Sequence, residues 1–206
     1  MRDYKTIKGE AQSEFVEKKS RFISYIAPVE SEKEATDFIA KILSMHPQAR
    51  HVVYAYSLLD GQTKRYSDAG EPQGTAGMPT LEVLLHKEIY NVVVATVRYF
   101  GGVLLGTGGL TRAYSKGASD AVSAANVITR TFGSIIDITI PYNLYGKVND
   151  FLSSFNCAIV KSDFQEDVLI SVFVPKGDID AFKEKIIDLT NGSAALTKKE
   201  DLFFDI

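Results

Sequence analysis

The sequence predicts an α+β protein of two domains, residues 1–131 and 132–206. Three observations carry that reading. The last third of the chain spells an unbroken β-α-β-β-α-β order in its periodicities. Strand and helix patterns also alternate in the first part, around a run of continuous apolar residues from Val92 to Val97. The charge divides as the pattern does: residues 1–130 carry 16 Lys and Arg against 14 Asp and Glu, and residues 131–206 carry 7 against 12. A polyanion partner would therefore meet the first part, although the whole chain has a net charge of −3.

In the first domain, Tyr4 to Val29 reads as two or three strands in an antiparallel meander. Ser31 then opens a helix, with Glu34 completing a capping box and Ala35, Phe38, Ile39, Ile42 and His46 on the buried face. His51 to Leu59 is a strand closed by the turn signal Asp60-Gly61. Pro79 to His86 is a short helix, and Val92 to Tyr99 a central strand. Leu110, Ala113, Tyr114, Gly117, Ala118, Ala121, Val122 and Ala125 define a helix whose small-residue face allows close packing on a sheet.

The second domain begins with an alternating strand, Ser134 to Pro141. Leu144, Val148, Phe151, Leu152 and Phe155 form a helical face. Cys157 to Phe164 and Val168 to Val174 are strands joined by Gln165-Glu166-Asp167. Ile179, Phe182, Ile186 and Leu189 make a second helix stopped by Asn191-Gly192, and Ala194 to Phe204 is the last strand. That order is the split arrangement of ferredoxin-like domains.

One cysteine cannot form an internal disulfide, and Met1-Arg2-Asp3-Tyr4-Lys5 begins no signal peptide, so a cytoplasmic setting is expected. No apolar run approaches the ~20 residues that span a bilayer, so no membrane partner is expected. His46 and His86 read as helix-end partners, His51 as a bonded core residue and Cys157 as a structural thiol. No cofactor or metal site follows from residues so scattered.

Chemistry concentrates in two glycine-rich loops, since nine of the 15 glycines lie between Gly70 and Gly117. The first loop carries Asp68, Glu71, Gly74 and Thr75, and the second carries Gly101, Gly102, Gly106, Gly108 and Gly109. Bare N–H groups at a helix start, with Arg98, Arg112 and Lys116 beside them, suit an anion such as a phosphate. A purely structural arrangement stands against this: Arg98 paired with Asp68 or Glu71, Lys116 with Asp120, Asp68 in an Asx-turn. Neither a P-loop nor a dinucleotide fingerprint fits, because Thr107-Gly108 and Thr111 stand where a Lys-Ser/Thr pair and the third glycine belong.

Asp68-x-Gly70-Glu71-Pro72-x-Gly74-Thr75-Ala76-Gly77-x-Pro79, then Arg98-Tyr99-Phe100-Gly101-Gly102 and Leu105-Gly106-x-Gly108-Gly109-Leu110-x-Arg112-Ala113-Tyr114, resemble the signature of the YigZ/IMPACT family, in its bacterial YigZ branch. The resemblance implies a first domain similar to the second domain of a small-subunit ribosomal protein, a fold shared with GHMP kinases and elongation factor G. It implies a second domain similar to a C-terminal domain of elongation factor G. Eukaryotic relatives regulate translation initiation by interfering with a stress kinase, and bacterial relatives point toward nucleic acid or the ribosome. The expected function is thus a non-enzymatic regulator of translation that binds RNA or the ribosome at the loops. Tyr54, Tyr56, Tyr66, Tyr99 or Phe100 could stack on unpaired bases, with core packing the competing reading for most of them. Two alternatives remain. One is an enzyme or sensor for a phosphorylated small molecule, with Asp68 or Glu71 holding Mg²⁺ or a proton. The other is a protein-interaction module built on the acidic second domain.

Overall fold

The computed structural model describes residues 3–59 and 63–205; the expected Asp60-Gly61 turn lies outside them. The chain divides into two compact units, Tyr4–Ile128 and the chain from Thr129 onward together with Asp3.

The first unit is a sheet with helices on both faces. Strands β2 (Ala11–Glu17), β3 (Ser20–Pro28), β4 (His51–Ser57), β5 (Lys64–Ser67) and β6 (Val92–Tyr99) lie in the order β2-β3-β6-β4-β5, every neighbouring pair antiparallel. β6 is central and buried along nearly its whole length because both of its faces are covered. Val93, Ala95 and Val97 meet Ala35, Phe38, Ile39 and Ile42 of α1 (Glu32–Met45). Val92 and Val94 meet Leu84 of α2 (Gly77–His86) and Ala118, Ala121 and Val122 of α3 (Thr107–Ala124). Ser31 caps α1 by accepting from Glu34 N–H at 3.2 Å, while the Glu34 carboxylate reaches back to Glu30 N–H at 2.8 Å.

The expected meander is only half present. β2 and β3 form a hairpin, but β1 (Tyr4–Lys8) lies outside this sheet. Gly9, at φ +82°, turns the chain between β1 and β2, and Lys5 C=O instead accepts from Tyr90 N–H at 2.9 Å.

The second unit follows the expected element order: β7 (Asn126–Ile140), α4 (Tyr142–Ser154), β8 (Ala158–Phe164), β9 (Val168–Pro175), α5 (Ile179–Thr190) and β10 (Ala195–Asp205). Its strands lie in the order β8-β9-β7-β10, each pair antiparallel. Ile136, Ile138 and Ile140 face Val148, Leu152, Phe182 and Ile186 of the two helices. α5 ends where Asn191 takes a left-handed φ of +48° and Gly192 N–H returns to Ile187 C=O at 2.9 Å.

Candidate functional site

The first glycine-rich loop is held together by its own acids. Asp68 caps the start of α2: Oδ1 accepts from Gly77 N–H at 2.8 Å and Ala76 N–H at 3.0 Å, and Oδ2 from Gly74 N–H at 2.8 Å. Burial raises the Asp68 carboxyl, but the N–H groups of Gly74, Gly77 and Ala76 outweigh it and hold the group below its ordinary value. Gly74 (φ +76°) makes this wrap possible, and Thr75 Oγ1 donates to Pro72 C=O at 2.7 Å. A Cβ on Gly77 would lie 2.7 Å from the Ser67 backbone. His51 Nδ1 bonds Ala69 C=O at 2.9 Å, so it is hydrogen-bonded as expected but half-buried rather than a core residue.

Of the two readings of Arg98, facing an anion or pairing with Asp68 or Glu71, the structure shows the pair: Nη1 donates to both Glu71 carboxylate oxygens at 2.7 and 2.9 Å, so Arg98 does not stand with the α3 amides as an anion ligand. Their side chains are only 7% and 3% exposed. Tyr114 on α3 donates its hydroxyl to Glu71 Oε1 at 2.8 Å; burial, then the neighbouring carboxylate, pushes that hydroxyl far above its ordinary range. The Arg98 guanidinium lies over the rings of Phe22 and Phe100, each 5.6 Å away. Glu71, Arg98 and Tyr114 thus tie the first loop, the central strand and α3 into one buried polar knot. Each carboxylate oxygen of Asp68 and Glu71 accepts at least one hydrogen bond from within the protein.

The second loop divides. Gly101 serves packing: a Cβ there would overlap the Lys19 backbone, and Gly101 N–H already donates to Ser20 Oγ at 3.2 Å. Gly102 is exposed at φ +83°. Beyond it the start of α3 is open. Gly106 (φ +73°) is the N-cap and provides no side-chain cap, and no acid lies in the first turn. Leu110 N–H returns to Gly106 C=O, whereas Thr107, Gly108 and Gly109 N–H have no acceptor among the described residues. A Cβ on Gly108 would lie 3.6 Å from Arg112 Nη1, so the guanidinium rests on this first turn. Among the described residues Arg112 pairs with no carboxylate. Lys116, expected in the anion site, pairs with Asp120 one turn on and lies over Phe15 at 4.7 Å.

The aromatic candidates also separate. Tyr56 is buried and donates to Glu32, which with burial raises its hydroxyl to about 12. Tyr99 shares His46 with Tyr25, hydroxyl to ring nitrogen at 2.8 Å on both sides. Phe100 and Tyr66 are exposed, as are Val103 and Leu104 in the second loop. Cys157 Sγ lies 3.4 Å from Leu152 C=O, and burial raises its thiol to about 11, as suits a structural group. No set of three acids, histidines or cysteines among the described residues is placed to hold a metal.

One basic feature escaped the sequence reading. The β2–β3 hairpin turns through two residues, Lys18 and Lys19, with φ of +44° and +67°. This is the backbone that Asn-Gly ordinarily adopts, and lysine adopts it at a cost of roughly 1–2 kcal/mol per residue. The signal was a two-residue gap between alternating segments, hidden because neither residue is a turn former.

A family model described as the Impact N-terminal domain matches residues 18–122, and a second, a domain of unknown function (DUF1949), matches residues 138–193. The chain belongs to the IMPACT family. It is 34% identical to the IMPACT family member YvyE of Bacillus subtilis, covering 97% of this chain and 93% of that one. It is also 34% identical to the family member YigZ of Escherichia coli, covering 89% and 92%. The Dictyostelium discoideum protein IMPACT homolog is 36% identical over 44% of this chain and 27% of its own length. A solved structure titled only as a hypothetical protein superposes with a TM-score of 0.62 at 31% identity, covering 97% of this chain and 98% of that one. No described helix is long and apolar enough to cross a membrane.

Proposed function

We propose that this chain is a non-enzymatic regulator of translation that acts in the cytoplasm by binding RNA, free or within the ribosome, through its first domain (residues 1–131). Residues 132–206 form the second domain in this reading. The likeness of the two domains to pieces of a ribosomal protein and of elongation factor G belongs to the same proposal. One observation carries it: the start of α3 offers three N–H groups without acceptors among the described residues, beside an arginine that pairs with no described carboxylate. A cation in a helix's first turn is unfavourable by ~0.3–1 kcal/mol, and a bound phosphate reverses that sign. Phe100 and Leu104, exposed in the same loop region, give unpaired bases an apolar surface. Asp68 and Glu71 of the first loop bond to its own N–H groups and to Arg98 and Tyr114, which supports a structural role for that loop beside the α3 site.

The test is co-sedimentation with ribosomes and with free RNA across a salt series. Wild-type protein should pellet at low salt and be released as salt rises. Arg112→Ala, correctly folded by circular dichroism, should be released at lower salt. Wild-type behaviour from Arg112→Ala removes the α3 site, and failure of wild type to pellet at all removes the function.

A further inference from the structure

The Lys18–Lys19 turn lies at the same end of the first unit as the open start of α3. Three packing relations along β3 establish this. Phe22 meets Leu110 and Tyr114, with the Phe22 and Tyr114 rings 5.4 Å apart edge to face. A Cβ on Gly117 would lie 2.5 Å from Ser24 Oγ. Ile26 meets Ala118, Ala121 and Val122. α3 therefore runs in the same direction as β3, and its first turn lies at the end where β3 leaves the turn. Gly101 reaches that end too, since its bare Cα is pressed against the Lys19 backbone. The one hairpin arginine, Arg21, is spent on Glu14 at 2.6 Å. Lys18 and Lys19 are exposed and pair with no described carboxylate, and Glu17, just before them, pairs with neither. Two ammonium groups, unpaired among the described residues, are thus displayed on a backbone that disfavours lysine, and Gly101, packed on the Lys19 backbone, is followed in its loop by exposed Val103 and Leu104 and preceded by exposed Phe100.

We infer that the Lys18–Lys19 turn is a second phosphate-gripping element, which extends the α3 site into a surface that takes several consecutive phosphates of single-stranded RNA. This rests on the proposed function and deepens it. One phosphate needs only the α3 amides and Arg112. Consecutive phosphates at the spacing of a nucleic-acid backbone use charges placed side by side on different elements, with bases resting on the apolar residues between. The flat exposed aromatic favours unpaired over duplex RNA. The left-handed turn fixes the backbone from which both lysines project, so less order is lost on binding.

The test exploits the turn chemistry. Lys18→Asn with Lys19→Gly installs the residues that a two-residue turn with two positive φ values prefers, so the variant should fold and melt above wild type. Its binding to a fluorescently labelled oligouridylate is measured by anisotropy across a salt series, beside wild type and Arg112→Ala. The expected result is a higher melting temperature, affinity about tenfold weaker at moderate salt, and a salt slope smaller by about 1.4, near 0.7 for each lost phosphate contact on a single strand. Wild-type affinity and slope in the stabilised variant would overturn the assignment of the turn alone. Absence of oligouridylate binding by wild type would overturn the proposed function with it. A polyglutamate peptide competing as well as the oligouridylate would overturn the RNA assignment in favour of an acidic protein partner.

Discussion

Arg98 and Glu71 are the residues whose removal the structure prices most clearly. Arg98→Met keeps much of the side-chain volume but leaves the Glu71 carboxylate, 3% exposed, with only the Tyr114 hydroxyl as a partner. Breaking a buried ion pair by removing one partner costs about 3–5 kcal/mol, against about 5–15 kcal/mol for a whole domain. The first unit's melting temperature should fall by about 10–20 °C. Adding Glu71→Leu removes the stranded charge but leaves the buried Tyr114 hydroxyl without its acceptor, so the double variant should recover part of the loss. The assay is scanning calorimetry with urea unfolding followed by circular dichroism. Arg98→Met within about 1 kcal/mol of wild type, or a double variant as unstable as the sum of the singles, would refute the reasoning. Arg98 Nε is buried and has no hydrogen-bond partner among the described residues, so its loss removes no bond.

Other consequences are quickly stated. Tyr114→Phe should cost about 1.5–3 kcal/mol by urea unfolding, the value of a hydrogen bond to a charged group. Asp68→Asn should destabilise the first unit by about 1–2 kcal/mol at neutral pH. The folded carboxyl titrates below its ordinary value, so its contribution is complete above the unfolded pKa of about 3.9 and is lost as pH falls through the lower folded value. The gap between wild type and Asp68→Asn should therefore close below about pH 4 in an acid titration of unfolding. Gly101→Ala should cost about 3 kcal/mol, because its Cβ meets rigid Lys19 backbone rather than a flexible side-chain tip. Arg112→Ala should leave stability unchanged or raise it by about 0.3–1 kcal/mol, since it removes a cation from the positive end of a helix.

The second unit was legible because its strands alternate openly: Ile136, Ile138 and Ile140 point one way and Asp137 and Thr139 the other. β6 was legible for the opposite reason, as an unbroken apolar run covered on both faces. β5 went unseen because Lys64-Arg65-Tyr66-Ser67 has no apolar alternation and owes its place to pairing with β4. For Arg98 the residues leave two readings open, an anion ligand or a partner of Asp68 or Glu71, and the structure shows the second. Composition shows that a cation and several carboxylates share a region, but not which carboxylate folds back. Glu71 lies 27 residues earlier, and the cap that Asp68 makes on α2 helps shape the loop that delivers it. Lys18 and Lys19 were passed over because left-handed backbone is written by the hairpin register, not by the residue types that occupy it.

The most direct measurement of the central claim is an oligouridylate titration into isotope-labelled protein, followed through the backbone amide resonances. The account predicts saturable shifts at Thr107, Gly108 and Gly109, extending to Lys18, Lys19 and Gly102, while Gly74, Ala76 and Gly77, already bonded to Asp68, stay in place. Shifts confined to residues 129–205, or none at saturating oligouridylate, would contradict it.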